Sequence, residues 1–189
     1  MRKFRKFIQM QSKLLSRKYI PRAQTNTILG IDPGYGRVGI ALIEKTNKGE
    51  RLIYSECFET ETKLPHYQRL LLISRKISEI IEKFKPDQMA IETLLWSKNK
   101  KTALQVAEAR GIIIAESARH SVLVREFNPN EIKLAVTGYG KSDKKQIINM
   151  VQKLVKISPA ITRQKRHDDE YDAIACALTC AAINLSTAC

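Results

Sequence analysis

The stretch Ile28-Leu29-Gly30-Ile31-Asp32-Pro33-Gly34 is an apolar run that ends on a carboxylate and breaks at once into a turn. Proline cannot donate to a strand ladder and glycine accepts turn conformations, so the run reads as a buried strand with its acid at the end of a sheet. Two further runs follow, Val38 to Ile43 and Arg51 to Glu59, the latter alternating Leu52, Tyr54 and Phe58 with Ile53, Ser55 and Cys57. Pro33-Gly34-Tyr35-Gly36 and Asn47-Lys48-Gly49 separate the runs, which predicts a three-strand antiparallel meander.

Beyond it, Leu70, Ile73, Ile77, Ile80 and Ile81 recur at helical spacing, predicting a helix from about Leu64 to Phe84 that Lys85-Pro86-Asp87 stops. Gln88 to Glu92 reads as a buried strand, Thr102 to His120 as a helix, Ser121 to Phe127 as a strand, and the remainder as helical pieces. Three strands followed by alternating helix and strand predict one α/β domain, a mixed five-stranded sheet flanked by helices. It spans residues 27–185, behind a basic extension of residues 1–26. The helix over Thr102 to His120 is apolar on more than one face, which calls for burial on two sides. Either a homodimer contact or the chain's own C-terminal helices would cover the second side.

Hydrophobic residues make up 43% of the 189-residue chain and charged residues 28%, an ordinary globular composition. Its apolar clusters fall far short of the roughly 20 residues of a membrane span, so a soluble, cytoplasmic protein is expected. Four cysteines, Cys57, Cys176, Cys180 and Cys189, lack paired spacing, and neither a disulfide framework nor a zinc site is indicated. Net charge is +14, from 33 basic and 19 acidic residues, a surplus that favours polyanionic partners. Eight basic residues and no acid lie between Met1 and Asn26, and the rest of the chain is still +6. The extension has three readings: a DNA-contacting arm, an organelle import signal, or solvated charge with no further role.

Asp32 and Glu92 each end a predicted strand, and if those strands are neighbours both acids face one cleft. Near the C-terminus, His167-Asp168-Asp169-Glu170-Tyr171-Asp172 leads into an apolar helix, with Asp169 and Asp172 on one face of its first turn. Acids at a helix start also complement the macrodipole, a structural role that competes with any chemical one. Asp32, Glu92, Asp169 and Asp172 together form an all-oxygen donor set suited to hard divalent cations, magnesium or manganese. Two such ions about 4 Å apart can activate water and stabilise the leaving oxygen in phosphodiester hydrolysis.

Four ordered motifs resemble the RuvC family of Holliday junction resolvases. Ile28 to Gly34 with Gly39 is similar to the first, and Ala90-Ile91-Glu92 with Leu95, Asn99, Ala103, Leu104 and Ala109-Arg110-Gly111 to the second. Pro129-Asn130, Lys133, Val136, Gly138, Gly140, Lys144, Gln146 and Val151 follow at the family's spacing, and Asp169, Asp172-Ala173 and Ala175 close the set. The resemblance implies a ribonuclease-H-like fold and a structure-selective endonuclease that resolves four-way junction DNA in recombination and repair by paired symmetric nicks. It implies Asp32, Glu92, Asp169 and Asp172 as catalytic ligands of two Mg2+ ions, with Mn2+ able to substitute, and Lys133 and Lys144 near the scissile phosphate. It further implies a homodimer, the RuvA-RuvB branch-migration complex as a partner, and a bacterial cytoplasm close to the nucleoid.

Lys98, Lys100, Lys101, Lys141 and Lys145 would add phosphate contacts and make binding salt-dependent. Where many members carry an aromatic after the second-motif acid, this chain has Leu95 with Trp96 beside it. Trp96 either stacks on an unpaired base at the junction centre or packs in the core. His167, two residues ahead of Asp169, is not read as a ligand, and His66 and His120 are read as surface or loop residues. Three other readings stay open: a nuclease similar to the YqgF relatives of this fold, a sugar-kinase or actin-like phosphotransferase, and a junction-binding protein that does not cut. Nuclease assays with magnesium against EDTA separate cutting from the last two.

Overall fold

The computed structural model describes residues 26–94, 100–158, 161 and 166–186. Strands β1 (Thr27–Asp32), β2 (Arg37–Thr46) and β3 (Gly49–Glu59) form the antiparallel meander. Then come α1 (His66–Phe84), β4 (Gln88–Glu92), α2 (Lys100–Arg119), β5 (Leu123–Phe127), α3 (Pro129–Thr137), α4 (Lys144–Leu154), β6 (Val155–Ile157) and α5 (Asp168–Ser186). The sheet has six strands in the order β5-β4-β1-β2-β3-β6. β4 joins β1 in parallel, and β5 joins β4 in parallel, as strands linked through crossover helices do.

Five strands were expected, and all beyond Phe127 was expected to be helical; both expectations are corrected by β6. Val155-Lys156-Ile157 leaves α4 without a turn and pairs in parallel with Glu50, Arg51 and Leu52 at the open edge of β3. Three residues are too few to show a strand period.

The two-residue alternation of the strands assigns each face of the sheet. Leu29 and Ile31 of β1, Ile40 and Leu42 of β2, and Met89 and Ile91 of β4 point to one side. There they pack with Ile73, Ile77, Ile80 and Ile81 of α1 and with Ala109 and Ile113 of α2. Ile28, Ala41, Ile43 and Ala90 point to the other, against Ile132 and Val136 of α3, Ile147 and Val151 of α4, and the buried face of α5. Each fully buried Leu or Ile stabilises the fold by roughly 1.5–3 kcal/mol relative to exposure. The C-terminal helices thus lie across the sheet from α2. This corrects one of the two readings of its second side: those helices do not cover it, and Leu104 is 69% exposed there, beside exposed Ala107, Gly111, Ala115 and Ala118.

Helix α5 is seated on β1 by a missing side chain. A Cβ on Gly30 would stand 2.1 Å from the carbonyl oxygen of Ala173 and 2.8 Å from Cβ of Ala177. Only glycine lets the helix lie this near the strand, and with Ala173, Ala177 and Ala181 on the buried face the contact is made almost backbone to backbone. No helix among the described residues is long and apolar enough to cross a membrane.

Candidate active site

One row of positions crosses four strands on the α5 side of the sheet. Asp32 pairs with Gly39 of β2, which in turn pairs with Cys57 of β3. On the other flank, Asp32 and Glu92 lie one residue beyond the parallel pair Ile31 and Ile91. Neighbouring strands are about 4.8 Å apart, so the two acids leave the sheet side by side, on the face shared by Ile28 and Ala90.

Gly39 admits the third acid. A Cβ there would come within 2.0 Å of the main-chain carbonyl oxygen of Asp169 and 3.1 Å of Cβ of Asp32. The first turn of α5 therefore rests on the gap in the row, with Asp169 over Gly39 and Asp172 one turn further along the same face. The start of α5 is set by His167, whose backbone N–H donates to the carboxylate of Glu170 at 3.0 Å. Glu170 is 1% exposed and takes the capping role. The structural reading of acids at a helix start thus applies to Glu170, while Asp169 and Asp172 face the cleft.

The electrostatics report how close the acids are. Burial, then Asp172, Glu92 and Asp169, push the Asp32 carboxyl up to about 7, against a smaller opposing effect of Lys144. Glu92 is raised by burial and by Asp172, with Lys133 and Lys144 acting the other way. Asp172 is raised by burial despite its hydrogen bond from Lys144. The basic residues arrive on capped helices: a capping box at Asp143 starts α4 at Lys144, and one at Asn128 starts α3, which carries Lys133. Lys144 Nζ lies 3.1 Å from Asp172 Oδ2 and 3.4 Å from Asp168 Oδ2.

Other expected residues fall differently. Lys141 and Lys145 are exposed on either side of Lys144. Lys100 and Lys101 begin α2, their side chains outside the described set; Leu95, Trp96 and Lys98 lie outside the described residues altogether, as do residues 1–25. Cys176 and Cys180 are buried core residues, as expected. Two arginines at the site were not singled out. Arg110 Nε donates to the main-chain carbonyl of Glu92 at 3.0 Å, and its Nη2 pairs with Glu126, bracing the end of β4. Arg37 Nε lies 3.3 Å from Asp169 Oδ2. Arg110 stands inside the quoted Ala109-Arg110-Gly111, but its aim at Glu92 follows from how α2 lies on the sheet.

The donor set fits hard cations. Four carboxylates from two strands and a helix line one cleft, and Asp32 is held near 7 first by burial and then by Asp172, Glu92 and Asp169, which Lys144 offsets only in part. A divalent cation with oxygen ligands supplies the missing counter-charge.

A six-stranded mixed sheet with helices on both faces and an acid cleft at the ends of its first and fourth strands defines a nuclease of the ribonuclease-H-like class. The family model described as crossover junction endodeoxyribonuclease RuvC matches residues 28–180. A RuvC of Thermosipho melanesiensis is 40% identical over 150 residues, covering 79% of this chain and 93% of its own length. One from Brachyspira hyodysenteriae is 41% identical over 156 residues, covering 82% and 94%. Among solved structures, Thermus thermophilus RuvC in complex with Holliday junction substrate superposes with a TM-score of 0.77 at 25% identity, over 85% of this chain and 96% of that one. The chain belongs to the RuvC family of crossover junction endodeoxyribonucleases, metal-dependent nucleases that act on Holliday junctions.

Proposed function

We propose that Asp32, Glu92, Asp169 and Asp172 are the cation ligands with which this endonuclease hydrolyses phosphodiesters at four-way junctions, in paired symmetric nicks. One observation carries the assignment: Asp32 and Glu92 end neighbouring parallel strands, and the first turn of α5, which bears Asp169 and Asp172, rests on Gly39 beside them. Two Mg2+ ions, with Mn2+ as a substitute, are the occupants such a set suits; when bound they neutralise developing charge and lower the pKa of an attacking water.

The chain's own residues do the rest. Arg110 holds the carbonyl of Glu92 and so orients that acid. Lys144 lies against Asp172 and Lys133 close enough to act on Glu92, and both would meet the scissile phosphate as it enters. Lys141 and Lys145 extend the positive surface beside them, and with Lys98, Lys100 and Lys101 would follow the DNA backbone. Leu95 and Trp96, which follow Glu92 in the chain, are the residues to reach the opened junction centre.

Symmetric nicking calls for two cleaved strands and two sites, hence a homodimer. The exposed Leu104, Ala107, Gly111, Ala115 and Ala118 stripe of α2 is the face we assign to it, since these residues lie on the side away from the sheet. Residues 1–26 act as a separate basic extension that adds salt-sensitive DNA affinity, ahead of a nuclease domain of residues 27–185. Cooperation with a RuvA-RuvB branch-migration complex and a cytoplasmic, nucleoid-associated site of action complete the reading.

The deciding experiment is incubation of the purified protein with a synthetic four-way junction in Mg2+ or EDTA, followed by mapping of nicks. Symmetric paired nicks in Mg2+, lost in EDTA and in Asp32→Asn, Glu92→Gln and Asp172→Asn with binding retained, support it. Substantial cutting by any of these mutants overturns the ligand assignment.

A further inference from the structure

Outside the acid cleft, Cys57 Sγ, a Glu59 carboxylate oxygen and a His167 ring nitrogen lie within 4.8 Å of one another, the one such trio of metal-ligating side chains among the described residues. The chain pattern hides it because the donors come from two elements 108 positions apart at their nearest. Cys57 and Glu59 are two apart on β3 and so project to the same face of the sheet. His167 is brought over them by the cap of α5, its N–H on Glu170 and its carbonyl oxygen accepting from Glu170 N at 3.1 Å. Glu59 and His167 are exposed and Cys57 half-buried. A pocket of about 420 Å³ lined by Arg37, Arg166, His167, Asp168 and Asp169 opens beside them to solvent.

We propose that Cys57, Glu59 and His167 form a second metal site, selective for borderline-soft divalent cations of the zinc class, and that its occupant takes Asp169 as a fourth donor. Thiolate and imidazole discriminate against magnesium and favour zinc or cobalt, whereas the all-oxygen cleft does the reverse. The spacing suits a tetrahedral ion. Donors held at 2.0–2.3 Å from zinc stand about 3.6 Å from one another. The Cys57 thiol donates a hydrogen bond to Asp169 Oδ2 at 3.6 Å, so an ion that replaces the thiol proton meets that carboxylate as well. Cys57, Glu59 and His167, within 4.8 Å of one another, close by at most about 1 Å, within the reach of the exposed Glu59 and His167 side chains as they rotate between rotamers. Arg37, the cross-strand partner of Glu59, is the opposing charge. Its side chain is 56% exposed, and its contact to Asp169 is of the surface kind that a cation can displace. On binding, the thiol proton leaves to water.

Asp169 sits between the two sites, so both cannot use it fully at once. On the reading of Asp169 as a cleft ligand, a zinc-class ion at Cys57 draws that carboxylate away and stops cutting.

The test uses the full-length protein and Co2+ in a large excess of Mg2+, without DNA. A thiolate-to-cobalt absorbance band in the near ultraviolet is expected, saturating at about one ion per chain, displaced by Zn2+ and absent in Cys57→Ser. In His167→Gln the affinity falls by more than about tenfold. In a separate assay with saturating Mg2+, micromolar Zn2+ abolishes junction cutting by the wild type, while Cys57→Ser keeps its own zinc-free rate when Zn2+ is added. No band, or a band that survives in Cys57→Ser, overturns the site. A band with cutting equally sensitive to zinc in both proteins overturns the sharing of Asp169. The band is read without any cleavage, so a failure of the nuclease reading would show itself as no Mg2+-dependent cutting with the band intact.

Discussion

Lys144 donates a hydrogen bond from Nζ to Asp172 Oδ2 across 3.1 Å, linking the first residue of α4 to the acid cleft. Partial burial works against its charge, yet Asp172 and Asp168 outweigh this and hold the ammonium above its usual range. A fixed cation beside the acids stabilises charge that builds up on a phosphate in the transition state. Lys144→Ala should therefore lower the cleavage rate by about 10²–10³-fold, the loss typical of one preorganised electrostatic contact. Junction affinity should fall by less than about tenfold, the share of a single phosphate contact. Single-turnover rates and titrations on the same junction check this, and equal losses in both would reduce Lys144 to an ordinary phosphate contact.

Asp32 binds its proton more tightly folded, at about 7, than in a free chain, where an aspartate releases it near 3.8. The contribution of Asp32 to folded-state stability is then fully present below about pH 4 and is lost as pH rises through about 7, because the unfolded chain gives up the proton first. Removing this carboxylate should stabilise the metal-free protein at pH 8 by on the order of 2–4 kcal/mol, less whatever the other acids share. At about 2–4 °C per kcal/mol, Asp32→Asn should raise Tm at pH 8 by several degrees in EDTA and by nearly nothing at pH 4. The same mutant should gain less Tm from Mg2+ than the wild type does. Calorimetry across pH decides it, and a mutant less stable than wild type at pH 8 contradicts the electrostatic picture.

Gly30 has no room for a side chain under Ala173 and Ala177. Gly30→Ala should lift α5 from β1 and destabilise the fold by roughly 1–3 kcal/mol, the range for overpacked cores. Because α5 carries Asp169 and Asp172, cutting should fall even at temperatures where the mutant is fully folded. Denaturant melts alongside cleavage assays at low temperature separate the two effects; a stable, fully active mutant would show that the seating of α5 is not what places the acids.

A charge in the exposed small-residue stripe of α2 should leave the fold alone and break the assembly. Ala107→Glu should keep the wild-type Tm of the isolated chain to within about a degree, since exposed positions tolerate change to within about 0.5 kcal/mol. Sedimentation should show a shift from dimer to monomer, and junction nicks should lose their pairing. An unchanged dimer would move the contact to another face.

That the first and fourth strands are short apolar runs that stop on an acid, Asp32 and Glu92, was legible, and so was the meander, because turn residues punctuate it; their pairing was only the condition for a shared cleft, and the sheet supplies it. The first turn of α5 was legible in part: Asp169 and Asp172 share a face by spacing alone, whereas the capping role of Glu170 needs the backbone of His167 beside it. What stayed hidden is whatever depends on register or on which side of the sheet a helix lies. Arg37 and Cys57 flank Asp169 only because Arg37 pairs with Glu59 and Gly39 with Cys57. Arg110 meets Glu92 only because α2 lies over β4. The covering of α2 by the C-terminal helices failed for the same reason, since periodicity reports that a face is apolar but not which element meets it.

The seat that Gly30 and Gly39 prepare for α5 is filled last as the chain is synthesised, from the N-terminal end onward. Asp32 and Glu92 are in place with the sheet, but Asp169 and Asp172 arrive only with a helix that also closes one whole face of the core. A chain stopped short of residue 168 lacks half of the cleft's acids and that covering together. On the proposed ligand assignment, such a chain would hold Asp32 and Glu92 without their partners, so the cleft is completed by the same step that completes the fold.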